Sequence, residues 1–336
     1  MSTPRVPPGS AARVGRELGR LAADFGGESR ALRRRAFWRL AARFTPTLAV
    51  ERDGVRLFVG TEDRTLGRRL FVYPGAPERD IQQAFAALAM VPGGPPPAGA
   101  TVVEIGANIG SHTVQLLTGH AAGHVVAIEP HPRNCELLRQ NLLVNGLSDR
   151  VTVVSMALSD HDGEVTLEQS ATNSGDHRVR VPGAATGPEA RRPTITIPAA
   201  RLDTLVAQGV VDPAATGLVW IDAQGHEAHI LRGAGCLLGS EIPIVLEYWP
   251  YGLRRAGGLE ALHELVTHHY SHVIDVSPPG GAAPRILPAR HLPRLEAEYG
   301  WDHSGHPTEA GTDLVLSAAV AAVGSDSNLR AHHTGN

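Results

Sequence analysis

The 336 residues carry 42% hydrophobic and 19% charged side chains with a formal net charge of −3, the balance of a globular chain with a sizeable core rather than of a disordered one. All 31 basic residues are arginine, which excludes Schiff-base chemistry, a phosphate-loop lysine and a lysine general base. Aromatic residues stand at 4% and the two cysteines, Cys135 and Cys236, lie far apart, which argues against stacking platforms for single-stranded nucleic acid, a disulfide scaffold and structural zinc.

Residues 1–43 hold ten arginines against Glu17, Asp24 and Glu28, a local charge of +7, so the remainder sums to −10. Such an arm could touch an anionic membrane or nucleic acid, or fold as an amphipathic helix onto its own acidic body. There is no cleavable leader pattern and no apolar run of about 18 residues, so a cytoplasmic protein of a reducing compartment without a membrane span is expected. Leu32, Ala36, Phe37 and Leu40 recur at helical spacing and predict a helix over 31–43. The runs VRLFVG (55–60) and RRLFVY (68–73) read as two strands joined by a Glu-Asp-Arg-Thr turn, and 80–91 as a helix with Asp80 as N-cap. PGGPPPAGA at 92–100 reads as a linker.

Thereafter the pattern is regular. Apolar strand-like runs at 101–105, 124–129, 151–157, 217–221, 242–248, 272–276 and 313–318 alternate with helical segments at 110–120, 132–145, 225–238 and 259–269. This predicts an α/β fold, a mostly parallel sheet with helices on both faces. Residues 158–206 read as a turn-rich excursion with two strand-like pieces, VTLEQ and PTITIP, on the C-terminal side of the sheet. The proline-containing segment 277–311 reads as a loop before the last strand. The expected organisation is an N-terminal extension (1–99), one domain (100–323) and a frayed tail (324–336).

The strongest motif is the loop Glu104-Ile105-Gly106-Ala107-Asn108-Ile109-Gly110-Ser111-His112-Thr113, a Gly-rich turn between the first strand of that series and its helix. In open parallel sheets ligands sit at this turn, where glycine lets a ligand approach the main chain. Its G-x-x-x-G spacing is not the dinucleotide fingerprint, which disfavours an NAD-dependent oxidoreductase. Glu129 ends the second strand, where an acid can accept bonds from two ribose hydroxyls; Asn134 falls in the first turn of the next helix. The segment Ser155-Met156-Ala157-Leu158 offers an adenine-side loop. In this order the elements specify a nucleoside-type ligand without a pyrophosphate.

The segments VVEIGANIGSHT, VVAIEPHP, VVSMALSD and LVWIDAQGHEAHILRGA together resemble the FkbM-type S-adenosylmethionine-dependent methyltransferases over about residues 100–250. The resemblance implies a class I methyltransferase (Rossmann-like) fold with seven strands, the last antiparallel, and S-adenosyl-L-methionine as cofactor. It places Glu104, Gly106, Asn108, Gly110 and Thr113 around the methionine end and Glu129 at the ribose. Where many members have Asp-x-Glu-Gly, this chain has Asp222-Ala223-Gln224-Gly225 and lacks one carboxylate.

A methyl transfer to an alcohol needs alignment and a proton acceptor. Asp222, His226 and Glu247 fall on neighbouring strand ends, with His226 favoured as base for its ordinary pKa of about 6.5, and Asp222 alternatively serving the cofactor's amino group. The H-E-x-H spacing at His226 and His229 lacks zincin geometry, so no metal is expected, although a hard divalent cation at Asp222 stays open. Tyr248, Trp249 and Tyr251 wall an acceptor pocket or belong to the core. The expected acceptor is a small-molecule hydroxyl of polyketide or sugar type. The alternatives are N-methylation and a catalytically silent cofactor-binding partner protein. A nucleic-acid acceptor is disfavoured by the acidic body, and the sequence is compatible with a homo-oligomer.

Overall fold

The computed structural model describes residues 30–52, 54–73, 78–120, 122–183, 187–300 and 310–318. Residues 1–29 and the tail 324–336 lie outside the described residues. The order of elements begins with a helix over 30–41 (α1), a hairpin of β1 (Thr47–Arg52) and β2 (Val55–Gly60), then α2 (Leu66–Val72) and α3 (Glu78–Leu88). There follow β3 (Thr101–Ile105), α4 (Ser111–Gly119), β4 (His124–Ile128), α5 (Pro132–Val144) and β5 (Val151–Val154). An insertion of β6 (Ala157–Leu158), β7 (Gly163–Glu168), β8 (Arg178–Val179) and β9 (Thr194–Ala200) precedes α6 (Leu202–Ala207) and β10 (Thr216–Ile221). The chain continues through α7 (Glu227–Arg232), β11 (Ile244–Tyr248), α8 (Pro250–Arg255), α9 (Leu259–His269), β12 (His272–Asp275), β13 (Arg285–Pro288), α10 (Leu292–Tyr299) and β14 (Thr312–Leu316).

The main sheet runs β13-β12-β14-β11-β10-β3-β4-β5. The pairs among β11, β10, β3, β4 and β5 are parallel, and β14 enters antiparallel between β11 and β12. Seven of these strands, with the last of them antiparallel, form the sheet that the resemblance implies. The eighth, β13, pairs antiparallel with β12 at the edge and lies in the segment 277–311 expected to be a loop. That segment also holds α10, whose start carries Pro293, a residue suited to the first turn of a helix.

Alternation along the strands builds two core layers. Val103, Ile105, Val126, Ile128, Val219 and Ile221 face one side with residues of α6, α7 and α9. Val102, Val125, Ala127, Leu218 and Trp220 face the other, covered by Ile81, Ala84 and Leu88 of α3 together with α4 and α5. The predicted helix 225–238 is shorter than expected and stops at Arg232, before Gly233 and Gly235. α3 starts at Glu78, so Asp80 lies inside the helix and is not its N-cap.

Two local readings are corrected. RRLFVY is helical: the Asp63 carboxylate accepts from the Thr65 N–H at 2.8 Å, an Asx turn that starts α2, and Leu66 and Leu70 then pack at i,i+4 against Trp38 and Val59. The second strand of the hairpin is instead Thr47–Arg52, paired with β2 in full register. Asn141 on α5 and Asn145 at its C-terminal cap dock this hairpin as a strand would. The Phe58 N–H donates to Asn141 Oδ1 at 2.6 Å and Asn141 Nδ2 donates to the Phe58 carbonyl at 3.1 Å, while Asn145 pairs both backbone groups of Arg56.

Candidate active site at the strand ends

The C-terminal ends of β3, β4 and β10 enclose a cavity of about 280 Å³. Its floor is the Gly-rich loop. Gly106 has φ 89° and its Cα lies so close to β10 that a Cβ would sit 1.8 Å from the Asp222 carbonyl oxygen. The Asp222 N–H donates to the Ile105 carbonyl at 2.9 Å, closing the two strand ends together. Asn108 adopts a left-handed φ of 51°, and its N–H donates to Glu129 Oε2 at 2.8 Å. Asn141 reaches up from α5 to donate to the Ile109 carbonyl at 2.8 Å.

Glu129 is held from three sides. Beside Asn108, the His131 N–H donates to Oε1 at 2.8 Å and Asn134 Nδ2 to the same oxygen at 3.3 Å. Glu104, 2% exposed, projects toward α4, where Thr113 Oγ1 donates to it at 2.5 Å. Glu104, Gly106, Ala107, Asn108, Glu129, Asn134, Met156, Ala157, Asp222 and His226 all line the cavity. Gly110 and Thr113 stand behind it: Gly110 (φ 81°) begins α4 and Thr113 is fully buried. Glu247 belongs to a second cleft, described below.

The segment after β10 is stapled from within. Glu227 is fully buried and its Oε1 accepts from the Ala223 and Gly225 N–H groups at 2.9 and 3.2 Å. Gln224, at a left-handed φ of 54°, donates through Nε2 to Asp222 Oδ1 at 2.7 Å and to Glu247 Oε2 at 3.2 Å. An amide thus bridges two carboxyl groups. His226 is 5% exposed, stacks on His229 with centroids 4.5 Å apart, and pairs Nε2 with Ser159 Oγ at 3.1 Å. His229 is tied to Asp160 and the Ala256 carbonyl, both at 3.1 Å.

A second cleft adjoins the first, with His112, Asn173, Asp222 and Gln224 common to both. It is walled by Glu247, Trp249, Asp176, Arg178 and Asp313. Alternation on β11 separates the aromatic cluster. Tyr248 is a core residue whose hydroxyl pairs with His263 at 2.8 Å. Trp249 faces the cleft beneath the Arg178 guanidinium, 4.7 Å from its ring, and Tyr251 donates to Glu189 at 3.2 Å. Residues 173–177 of the insertion complete the cavity wall, pinned where Asn134 donates to the Ser174 carbonyl at 2.9 Å and Ser174 Oγ to Asp63 at 2.6 Å. Sequence reasoning did not single them out. Among the described residues, no three His, Cys, Asp or Glu side chains converge so as to hold a metal ion.

Burial shapes the titration of the site. Desolvation pushes Glu104 up to about 8, Glu129 and Glu227 up to about 7, and Glu247 well above the carboxylate range, where its acidic neighbours Asp222, Glu227 and Asp313 add to the effect. Desolvation pushes His226 down to about 3, and His177 likewise to about 3. The folded carboxyls keep protons that the unfolded chain releases above its ordinary value of 4.5, so their stabilisation falls as pH rises toward 7–8. The two histidines act in the opposite sense, but only below their ordinary 6.5. Above pH 6.5 the carboxyls dominate, and the raised thiols of Cys135 and Cys236 act in the same direction. The ligand-free protein is therefore expected to lose about 5 °C in Tm between pH 6.5 and 8.5. A scanning-calorimetry Tm that stays level or climbs over that interval contradicts protonated carboxyls in the site.

The model of the methyltransferase FkbM domain matches residues 104–255. Among curated proteins, none matches the chain. Similar solved structures include methyltransferase FkbM from Methylobacillus flagellatus KT, at 15% identity and a TM-score of 0.37 over 65% of this chain and 43% of that one; the match thus spans less than half of that relative. The O-methyltransferase from Bacillus cereus in complex with SAH is 14% identical, with a TM-score of 0.38 over 72% of this chain and 81% of that one. The tRNA m1G37 methyltransferase of M. jannaschii is 11% identical, with a TM-score of 0.37 over 81% and 55%. Over residues 104–255 this chain thus matches the methyltransferase FkbM domain, and the strand order and the loop at Gly106–Gly110 are in keeping with that match.

Proposed function

We propose that the protein transfers a methyl group from S-adenosyl-L-methionine to a hydroxyl of a small metabolite. Glu129 carries this reading. Its carboxylate is fixed by three donors at the end of β4 and lines the cavity; Oε1 accepts two of them and Oε2 only one, which leaves a lone pair on Oε2 for a ribose hydroxyl. The rest of the lining fits the same molecule. Glu104 and Asp222 supply carboxyl groups to pair with an ammonium and a sulfonium, whose charge favours the ionised form of Glu104 that burial opposes, and Met156, Ala157 and Leu158 offer an apolar wall for a flat base. Asn108 Oδ1 is buried without a partner, a state that a ligand donor would relieve. When bound, the cofactor supplies a methyl group already activated on sulfur.

The chain's own task is then alignment, exclusion of water and removal of the acceptor's proton. The second cleft reaches the cavity at Asp222 and Gln224 and receives the acceptor in this reading. The proton passes to the Asp222–Glu247 pair, which Gln224 holds together. His226 is a poorer base than its ordinary pKa implies, because burial disfavours its imidazolium. It serves as a wall.

Two measurements test this. Calorimetric titration with S-adenosyl-L-homocysteine is expected to show binding; its absence removes the reading. Transfer of a tritiated methyl group to a panel of hydroxylated metabolites is expected to find an acceptor, whereas binding without transfer to any member favours a silent cofactor-binding protein. With an acceptor in hand, Glu247→Gln should lower kcat about 100-fold while leaving homocysteine-adduct affinity unchanged. His226→Ala should retain turnover across pH 6–9, and a larger loss there than in Glu247→Gln would assign the proton to the imidazole.

A further inference from the structure

The helix α1 presents an outer side that the fold does not use. Trp38 and Ala41 point inward and are buried, Trp38 packing beside Val50, Val59 and Leu70. On the far side Leu32, Phe37 and Leu40 are 61%, 52% and 55% exposed, and Phe44, just beyond the helix, is 80% exposed. At helical spacing these side chains share one arc of about 140°. Arg30, Arg33, Arg34, Arg35, Arg39 and Arg43 lie among and beside them, and no acid occurs from residue 30 to residue 50. The helix is anchored at the rims of this face: Arg34 and Arg35 lie over the rings of Phe71 and Tyr73, each at 5.6 Å, and Phe37, at the edge of the arc, stacks on Phe71 at 5.8 Å while half of it stays exposed. The same element α2 supplies Leu66 to the cavity wall.

We propose that this face docks on an anionic lipid surface. The helix would lie in the plane of the interface, its Leu and Phe side chains entering the acyl boundary and its guanidinium groups meeting headgroup phosphates. Each alternative leaves part of the pattern unused. A nucleic acid would engage the arginines through phosphates and give Leu32 and Leu40 no role. A second copy seated on the same face would set six arginines against six with no acid to pair them. The charge of −10 outside residues 1–43 repels the rest of the body from such a surface, so only this side is held against it.

Co-sedimentation of the full chain with large unilamellar vesicles tests the assignment. Binding to vesicles of phosphatidylcholine mixed with phosphatidylglycerol is expected at low salt, about tenfold or more above binding to phosphatidylcholine alone, and it should weaken as salt rises. The triple replacement Leu32→Ser, Leu40→Ser and Phe44→Ser alters only exposed side chains, so Tm should hold while vesicle binding drops about tenfold. Arg33→Gln with Arg39→Gln and Arg43→Gln should erase the preference for phosphatidylglycerol. The proposal is overturned by equal binding to both vesicle types or by none. It also fails if the serine variant binds like the parent, if a nucleic-acid duplex binds more tightly in the same buffer, or if the serine changes abolish a dimer seen by ultracentrifugation.

Discussion

Replacing Gly106 by alanine is expected to destabilise the protein by about 2–5 kcal/mol and to abolish detectable binding of S-adenosyl-L-homocysteine. Two costs combine. An L side chain at φ 89° meets the penalty of the left-handed region, about 1–2 kcal/mol. The added methyl would also lie 1.8 Å from a backbone oxygen of Asp222, an overlap that only movement of the main chain can relieve, at about 1–3 kcal/mol or more. That movement separates β3 from β10 and loosens the Asp222 N–H bond to Ile105, so the cavity loses its floor and its carboxylate together. Gly110→Ala is the control. Its methyl would meet a side-chain end, Leu138 Cδ1 at 2.4 Å, rather than backbone; Leu138 is itself buried in the core and yields at a cost, but the main chain between the strand ends stays in place, so a smaller loss is expected despite a similar φ of 81°. Urea unfolding and calorimetric titration of both variants decide the matter; wild-type affinity in Gly106→Ala would show that the contact between the strand ends does not shape the site.

The difference between those glycines was legible in the sequence only in outline. The G-x-x-x-G loop, Glu129 after the next strand and Asp222 after the fourth could be found because each is set by local grammar: an apolar run, a turn residue, a helix start. What they touch is not local. The far wall of the cavity, residues 173–177, comes from an insertion held by Asn134 and Asp63 across 40 and 111 positions, and no periodicity announces such bonds. Glu227 reads as an exposed helix-start acid, yet it is buried because the main chain at Ala223–Gly225 turns its N–H groups back on it. RRLFVY has the composition of a strand, and burial of Leu70 against Trp38 of α1, with Leu66 packed one turn before it, makes it a helix instead. The edge strand β13 is short and half-buried, and a four-residue run beside prolines carries too little pattern to be told from a loop.

Glu129→Ala is expected to weaken homocysteine-adduct binding about 100- to 1,000-fold, with a smaller effect on Tm. Part of the affinity loss follows from a hydrogen bond to a charged acceptor, about 1.5–3 kcal/mol. A further part comes from the loop: without the carboxylate, the N–H groups of Asn108 and His131 and the amide of Asn134 lose their common acceptor, and nothing holds Asn108 at its left-handed φ. Stability responds less, because opposite terms meet. Three donors lose a partner, but the folded protein no longer buries a carboxyl whose ionisation burial opposes, as its value near 7 records. Glu129→Gln should fall between the two in affinity. Its oxygen can serve one group of donors, while its NH2 must face either the Asn108 N–H or that of His131, donor against donor. Titration calorimetry of both variants beside the parent gives the order, and unchanged affinity in Glu129→Ala would mean that the cavity grips its ligand somewhere other than at this carboxylate.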